Sequence, residues 1–139
     1  MYTMGSTCKF LIIDDDDIDR LITSRMLNSR GITDITALPS ATAGLAWIKE
    51  HVNNVGQGLI ILVDIMMPGM DGFQFLEAFD ALDSSMKKIT QVFMLSSTLD
   101  PRDIRRVKNN KTITELLAKP LSMNRLTALV EQAPAALEN

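Results

Sequence analysis

The sequence has little of what builds disulfides, soft-metal cages or membrane spans. Cysteine occurs once, at Cys8, which excludes an internal disulfide and a zinc cage built of cysteines. The longest purely aliphatic run, Leu59–Val63, is far shorter than the ~20 apolar residues that span a bilayer. Residues 1–7 contain neither a basic stretch nor an apolar one, so they predict no secretion signal. We therefore expect a cytoplasmic chain without a membrane partner.

Positive charge and histidine are also scarce. The chain has 14 basic and 17 acidic residues, and its net charge of −3 argues against a general nucleic-acid-binding protein. The only histidine, His51, falls on a predicted helix far from the acidic residues, and we interpret it as a solvated surface residue. With 139 residues, of which 46% are hydrophobic, the chain has the length and composition of one globular domain with a real core.

Short apolar runs alternate with helical patterns along the whole chain. Such alternation predicts a parallel sheet with helices on both faces. The run 59–63 is apolar at every position, as expected for a strand covered on both sides. The five predicted strands are Lys9–Ile13, Asp34–Leu38, Leu59–Val63, Gln91–Leu95 and Ile113–Ala118.

The intervening helices are predicted from apolar spacing and capping residues. In the first helix the residues at helical spacing, of which only Arg25 is polar, are expected to form the inner face; they are Ile18, Leu21, Ile22, Arg25 and Met26. A third helix is predicted over 72–82, and its core face consists of Phe73, Leu76 and Phe79. Asp100 followed by Pro101 predicts the start of a fourth helix, and residues 53–58 and 83–88 are expected to be polar loops.

Polar side chains follow four of the predicted strands. Ligands of parallel sheets bind beyond the carboxyl ends of the strands, so these residues form the candidate site. Three carboxylates at one edge repel one another unless they are protonated or neutralised, and Mg²⁺ is the simplest neutralising ion. A lysine and a hydroxyl beside them suit a phosphoryl group on a carboxylate nucleophile. The residues concerned are Asp14, Asp15, Asp64, Ser96 and Lys119.

Four motifs resemble the response-regulator receiver domains of two-component signalling, of the stand-alone type similar to chemotaxis regulators. They are Phe10 to Asp16, Leu62 to Gly72, Met94 to Ser97, and Ala118-Lys119-Pro120. The resemblance covers residues 8–133, with 1–7 as a leader and 134–139 as a tail. It implies a flavodoxin-like, doubly wound sheet of five βα units, with five parallel strands in the order 2-1-3-4-5.

The same resemblance implies a Mg²⁺ site. Asp64 and Asp15 would be direct ligands, Asp14 would support the metal through water, and the backbone carbonyl of Met66 would be a third protein ligand. Because Met66 also occupies a position that tunes dephosphorylation in the family, together with Thr98, we expect slow autodephosphorylation: a methionine side chain cannot orient water.

The resemblance also implies the phosphoryl chemistry. Asp64 would accept the phosphoryl group as an acyl phosphate, Ser96 would bind that group, and Lys119 would pair first with Asp64 and then with the phosphate. A cis peptide bond is expected between Lys119 and Pro120. At Leu116 many family members have an aromatic residue whose ring moves with the hydroxyl residue, so this chain departs from that pattern.

The implied partners are a sensor histidine kinase or a phosphotransfer protein as donor, and an unknown downstream protein. The family uses the fourth helix, fifth strand and fifth helix for output contacts. No effector module is expected after the fifth helix, so the signal would pass through protein–protein contact. The chain would then be no enzyme beyond its own phosphotransfer and autodephosphorylation, with no nucleic-acid partner.

Two alternatives remain open. A small phosphatase of the haloacid-dehalogenase type would use Asp14 with Asp16, or Asp15 with Asp17, and would leave Asp64 without a role. A pseudo-receiver would bind partners without phosphorylation. Asp16 and Asp17 are otherwise read as acids at a helix start, and Asp71 as a turn or cap residue.

Overall fold

A computed structural model describes residues 8–51, 58–82 and 84–132. The predicted leader, the tail and most of the predicted loop at 53–58 lie outside these residues. The strands are β1 (Cys8–Ile13), β2 (Ile35–Leu38), β3 (Gly58–Asp64), β4 (Thr90–Ser96) and β5 (Ile113–Ala118). The helices are α1 (Asp17–Asn28), α2 (Ala41–His51), α3 (Gly72–Asp80), α4 (Ser84–Lys88), α5 (Pro101–Lys108) and α6 (Met123–Gln132).

The five strands form one parallel sheet in the order β2-β1-β3-β4-β5, which confirms the predicted flavodoxin-like fold. The register aligns the carboxyl ends of the central strands, because Ile13 lies opposite Val63 and Asp64 lies opposite Leu95. At the next pair, Ser96 lies opposite Ala118. The polar residues that follow these strands are therefore brought to one edge.

Alternate residues of the central strands pack into two apolar layers. Leu11 and Ile13 belong to a layer shared with α2 and α3, whereas Phe10 and Ile12 belong to a layer shared with α1 and α6. Every residue of β3 and β4 is buried. This burial explains why their sequences are nearly continuous apolar runs.

The stripe predicted on α1 is only in part a core face, because among its apolar residues Met26 packs against the core and the other three do not. Ile18, Leu21 and Ile22 are 63%, 50% and 44% exposed, whereas the buried residues of the helix are Thr23 and Leu27. Because Thr23 and Leu27 are four residues apart, their burial turns that side of α1 toward the sheet. The apolar stripe at 18, 21 and 22 therefore lies on the outer surface.

A short helix, α4, replaces part of the polar loop predicted at 83–88. Met86 inserts into the core at 1% exposure, and its carbonyl oxygen accepts a 2.6 Å hydrogen bond from the Thr90 hydroxyl. These contacts hold the segment in a helical turn despite its polar composition. The predicted fourth helix is therefore α5, and it begins as expected with Asp100 as its N-cap and Pro101 in its first turn.

Candidate functional site

Hydrogen bonds to the backbone and the side chain of Asp14 fix this residue where β1 ends. Its amide donates to the carbonyl oxygen of Leu38 at 3.1 Å, and the Arg20 guanidinium donates to its carbonyl oxygen at 2.7 Å. One carboxylate oxygen accepts from the amide of Asp16 at 3.0 Å. The side chain is 1% exposed, so it is a buried acid with a fixed orientation.

Asp64 is positioned by the approach of α3 to the end of β3. The amide of Gly72 donates to the carbonyl oxygen of Ile65 at 2.9 Å. A Cβ atom at Gly72 would lie only 2.7 Å from the carbonyl oxygen of Asp64, so no larger residue fits without displacing that backbone. The Asp64 carboxylate accepts a long hydrogen bond of 3.3 Å from the amide of Met66.

Three carboxylates converge at this edge. Oxygen atoms of Asp14, Asp15 and Asp64 all lie within 4.8 Å of one another. Asp14 and Asp64 are buried, whereas Asp15 is exposed and leaves one side open to water. Hard oxygen donors with an open, hydrated side suit Mg²⁺, which keeps several of its water molecules. These residues therefore fit the ion predicted from the sequence, and the carbonyl of Met66 as a ligand stays a prediction.

Lys119 reaches the same carboxylates from β5. Its ammonium nitrogen lies 2.8 Å from Asp14, 3.0 Å from Asp19 and 3.3 Å from Asp64. The bond from Lys119 to Pro120 is cis, as predicted. Sequence reasoning missed Asp19, although its spacing of four residues from Thr23 places it on the inward side of α1.

Burial and charge shift the ionisation of both partners in this contact. Burial raises the pKa of the Asp64 carboxyl above its ordinary value, and the Asp14 charge adds to the rise, while Lys119 opposes it. Burial alone would lower the pKa of the Lys119 ammonium. Hydrogen bonds to Asp14 and Asp19 and the Asp64 charge outweigh that effect and raise it, so Lys119 stays charged.

Ser96 lies at the end of β4 with 2% exposure. Its hydroxyl oxygen accepts hydrogen bonds from the amides of Thr98 and Leu99, both at 3.2 Å. Leu99 adopts a positive φ of 52°, which is unusual for a bulky residue. The hydroxyl is thus engaged with its own loop, and its predicted role toward a phosphoryl group stays a prediction.

The acids that were assigned to helix starts behave as predicted. Asp16 is the N-cap of α1 and accepts from the amides of Ile18 and Asp19. Asp71 is the N-cap of α3, where it forms a capping box with Gln74. His51 is half-buried rather than solvated, and its ring stacks on that of Trp47 at 4.1 Å.

The comparisons with known proteins agree with this geometry. The family model described as "Response regulator receiver domain" matches residues 10–131. A solved response regulator receiver protein from Dyadobacter fermentans is 30% identical with a TM-score of 0.78, over 89% of this chain and 95% of that one. A two-component response regulator from Cytophaga hutchinsonii is 28% identical with a TM-score of 0.83, over 91% and 96%.

Curated relatives differ in how much of their length this chain spans. A probable chemotaxis protein CheY of Rhizobium etli is 26% identical over 98% of this chain and 99% of its own length. The sensor histidine kinase CheAY of Helicobacter pylori is 32% identical over 88% of this chain, but over only 14% of the kinase. A two-component response regulator of Oryza sativa subsp. indica is 29% identical, and the chain spans 55% of that protein.

The family model covers most of the chain, and its residues include every polar group of the sheet edge. Within the described residues, no helix is both long and apolar enough to cross a membrane. Fold, edge geometry and family match lead to one conclusion. The chain belongs to the response-regulator receiver domains, the CheY-like receivers of two-component systems.

Proposed function

We propose that Asp64 accepts a phosphoryl group from a phosphohistidine and holds it as an acyl phosphate. The observation that carries the proposal is the meeting of Asp64 with Asp14, Asp15 and Lys119 at one sheet edge. A phosphoryl group brings further negative charge, so the site needs both a bound cation and the lysine. Asp14, Asp15 and Asp64 would hold Mg²⁺, which would neutralise the negative charge of the carboxylates and the phosphoryl group.

The transfer is an in-line displacement in which a carboxylate oxygen of Asp64 forms a bond to phosphorus. The bond from phosphorus to the histidine nitrogen breaks, and its electron pair returns to the imidazole ring. Lys119, held at 3.3 Å from Asp64, is placed to stabilise the charge that develops on the phosphoryl oxygens. We propose that Ser96 then turns its hydroxyl from its own loop to a phosphoryl oxygen.

We propose that the phosphodonor binds over α1. Ile18, Leu21 and Ile22 expose an apolar surface beside the site. An adjoining cavity of about 240 Å³ includes Ile22, Lys119 and Pro120 in its lining, so the surface continues to the phosphoacceptor edge. The relatives include sensor kinases, so the partner that we assign to this surface is a histidine-bearing domain of a kinase or phosphotransfer protein.

The output contact is proposed on the face formed by α5, β5 and α6. A cavity of about 240 Å³ on this face is lined by Leu99 and Leu116 among others, so the loop that engages the Ser96 hydroxyl also borders the face. Movement of that loop would alter the face without an aromatic ring at Leu116. We further propose a cytoplasmic protein whose only catalysis is its own phosphotransfer and autodephosphorylation.

The test is the intact mass of the protein after incubation with acetyl phosphate and Mg²⁺. We expect an adduct of about 80 Da, the mass of one phosphoryl group on a carboxylate nucleophile. The adduct should be lost in alkali, without Mg²⁺, and in Asp64→Asn. Asp71→Asn is the matched control, because asparagine caps a helix as well as aspartate, and it should keep the adduct.

The two alternatives make different predictions in the same experiment. A phosphatase of the haloacid-dehalogenase type would retain its adduct in Asp64→Asn, whereas a pseudo-receiver would form none. The phosphatase arrangement that pairs Asp14 with Asp16 is disfavoured because Asp16 is engaged as the N-cap of α1. The pseudo-receiver is disfavoured because the three acids lie within 4.8 Å of one another and Lys119 contacts both Asp14 and Asp64.

A further inference from the structure

Asp19 is an acid of the site that the sequence motifs do not include. It lies on α1, its carboxylate accepts a 3.0 Å hydrogen bond from the Lys119 ammonium, and its side chain is 38% exposed. The same ammonium donates to Asp14 at 2.8 Å and lies 3.3 Å from Asp64. Of the three carboxylates around Lys119, the phosphoacceptor is therefore the most distant.

We propose that Asp19 is a positioning residue that shares Lys119 with the phosphoacceptor and limits how strongly Lys119 holds a phosphoryl group on Asp64. The inference rests on the proposed function and concerns the same site. It assigns to Asp19 a role through Lys119, without contact to the phosphoryl group.

Among the described residues, the Lys119 ammonium is shared by three carboxylates. Its three N–H donors sit on one nitrogen atom, so movement of that atom toward one carboxylate lengthens its contact with another. Asp14 is buried and fixed by its contacts with Asp16 and Arg20, so it cannot release its share of the lysine. When a phosphoryl group replaces the Asp64 oxygen as an acceptor, Asp19 is the remaining competitor for the ammonium.

The geometry also gives the sign of the effect. A negative charge at Asp19 draws the ammonium toward α1, and an anion on Asp64 draws it the other way. Without the charge of Asp19, the Lys119 ammonium should move toward the anion on Asp64 and bind it more strongly. The side-chain amide introduced by Asp19→Asn would still offer an oxygen to the ammonium, but as a neutral and weaker acceptor.

The experiment measures binding of beryllofluoride, a stable mimic of the phosphoryl group, to the full chain in Mg²⁺ by fluorine NMR titration. We expect Asp19→Asn to bind it about 2- to 5-fold more tightly than wild type, the range of one partly exposed charge contact. Asp19→Glu, which restores the charge, should return toward wild-type affinity. Asp17→Asn removes an exposed α1 acid outside this contact and should stay within about twofold.

Repeating the titration in 1 M salt separates contact from distant repulsion. The Debye length there is about 3 Å, so a general charge effect is screened while a direct ion pair persists. Tightening of Asp19→Asn that survives salt supports the role through Lys119. Unchanged or weaker binding, equal tightening in Asp17→Asn, or a gain that vanishes in salt overturns it.

Failure of the proposed function is distinguishable from failure of this inference. A wild-type chain that binds no beryllofluoride and takes no phosphoryl group would overturn both. A wild-type chain that binds normally, with Asp19→Asn identical to it, would overturn the role of Asp19 alone. Thermal unfolding of each variant shows whether a change in affinity reflects loss of the folded state.

Discussion

The interior of the sheet and its carboxyl edge differ in the side chains that they bury: apolar ones in the interior and charged ones at the edge. The interior is apolar and closed: Phe10, Phe75, Phe79 and Phe93 are all fully buried. Phe75 and Phe79 stack within α3, with their ring centroids 6.2 Å apart. Buried apolar area of this kind is the main source of folding free energy.

The carboxyl edge buries charge and exposes apolar surface. Asp14 and Asp64 are buried there, while Ile18, Leu21 and Met66 are 50% to 73% exposed. Burying charged groups opposes stability, and exposed apolar groups do not contribute to it. We infer that this edge is shaped for phosphoryl chemistry and partner contact, and that the interior compensates for its cost. Substitutions in the two regions should therefore have different effects on stability and on phosphorylation.

The largest effect is expected in the interior, from Phe79→Ala. Removing a fully buried ring leaves a cavity, so the free energy of unfolding should fall by about 3–5 kcal/mol. Urea unfolding measures this loss. The matched change at the edge, Leu21→Ala, should cost less than about 0.5 kcal/mol because half of that side chain is already exposed. Similar losses for the two variants would break the contrast.

The junction between the two regions should respond to Gly72→Ala. The new Cβ would meet the carbonyl oxygen of Asp64, and such overpacking costs about 1–3 kcal/mol. Because that carbonyl belongs to Asp64, the proposed phosphoacceptor, phosphorylation by acetyl phosphate should also slow. Gly69→Ala is the control: its positive φ of 78° strains an added side chain, but no atom lies within 4 Å of it. Slowed phosphorylation in both variants would contradict the assigned contact.

At the edge, Leu21→Ser and Ile22→Ser should separate partner contact from chemistry. We expect about tenfold slower transfer from a phosphorylated sensor kinase that serves the wild type, since each loses apolar contact worth about 1–2 kcal/mol. Transfer from acetyl phosphate should be unchanged. Gel-based phosphotransfer assays measure the first rate and intact mass the second. Unaltered transfer from the kinase would show that the phosphodonor does not bind over α1.

Asp64→Asn should stabilise the fold at neutral pH. Since the pKa of Asp64 is raised above 3.8 in the folded state, its ionised form is disfavoured there relative to the unfolded chain. Removing the charge should therefore raise the Tm of the variant above that of the wild type. The gain should shrink as the pH falls through the folded pKa toward 3.8, where both states take up the proton. Thermal melts of both proteins across that pH range, without Mg²⁺, measure this gain. A variant less stable than the wild type at neutral pH would contradict the raised pKa of Asp64.

The smallest effect is expected at Met66, which is 73% exposed beside Asp64, the proposed phosphoacceptor. Met66→Asn adds an amide that orients an attacking water, so the acyl phosphate should decay several-fold faster. The decay of the phosphorylated mass over time gives the rate. Met66→Leu, which has no polar group, is the control and should decay like the wild type. A Met66→Asn variant with wild-type decay would contradict slow autodephosphorylation caused by methionine.

The sequence predicts the sheet and its edge because both depend on local patterns. Apolar runs report burial on both faces, and the parallel topology then places Asp14, Asp64 and Lys119 at one edge. The order of the strands and the roles of these residues came from the family resemblance. Spacing alone did not provide them.

The errors arose where tertiary packing chooses between equivalent local patterns. The spacing of Ile18, Leu21 and Ile22 shows a real stripe on α1, but periodicity cannot tell whether a stripe faces the core or a partner. The segment at Met86 forms a helical turn despite its polar composition, because the Met86 side chain is buried in the core and its carbonyl oxygen accepts from Thr90. The contact of Asp19 with the site depends on the position of Lys119, which lies 100 residues away along the chain and which spacing within α1 does not reveal.

The residue proposed to carry the phosphoryl group, Asp64, can be identified directly. Borohydride reduces an acyl phosphate on aspartate to homoserine, which peptide sequencing by mass spectrometry can locate. After treatment with acetyl phosphate and Mg²⁺, we expect homoserine at position 64 and at no other aspartate. Homoserine within 14–17, or none in a chain that has gained a phosphoryl group, would contradict it.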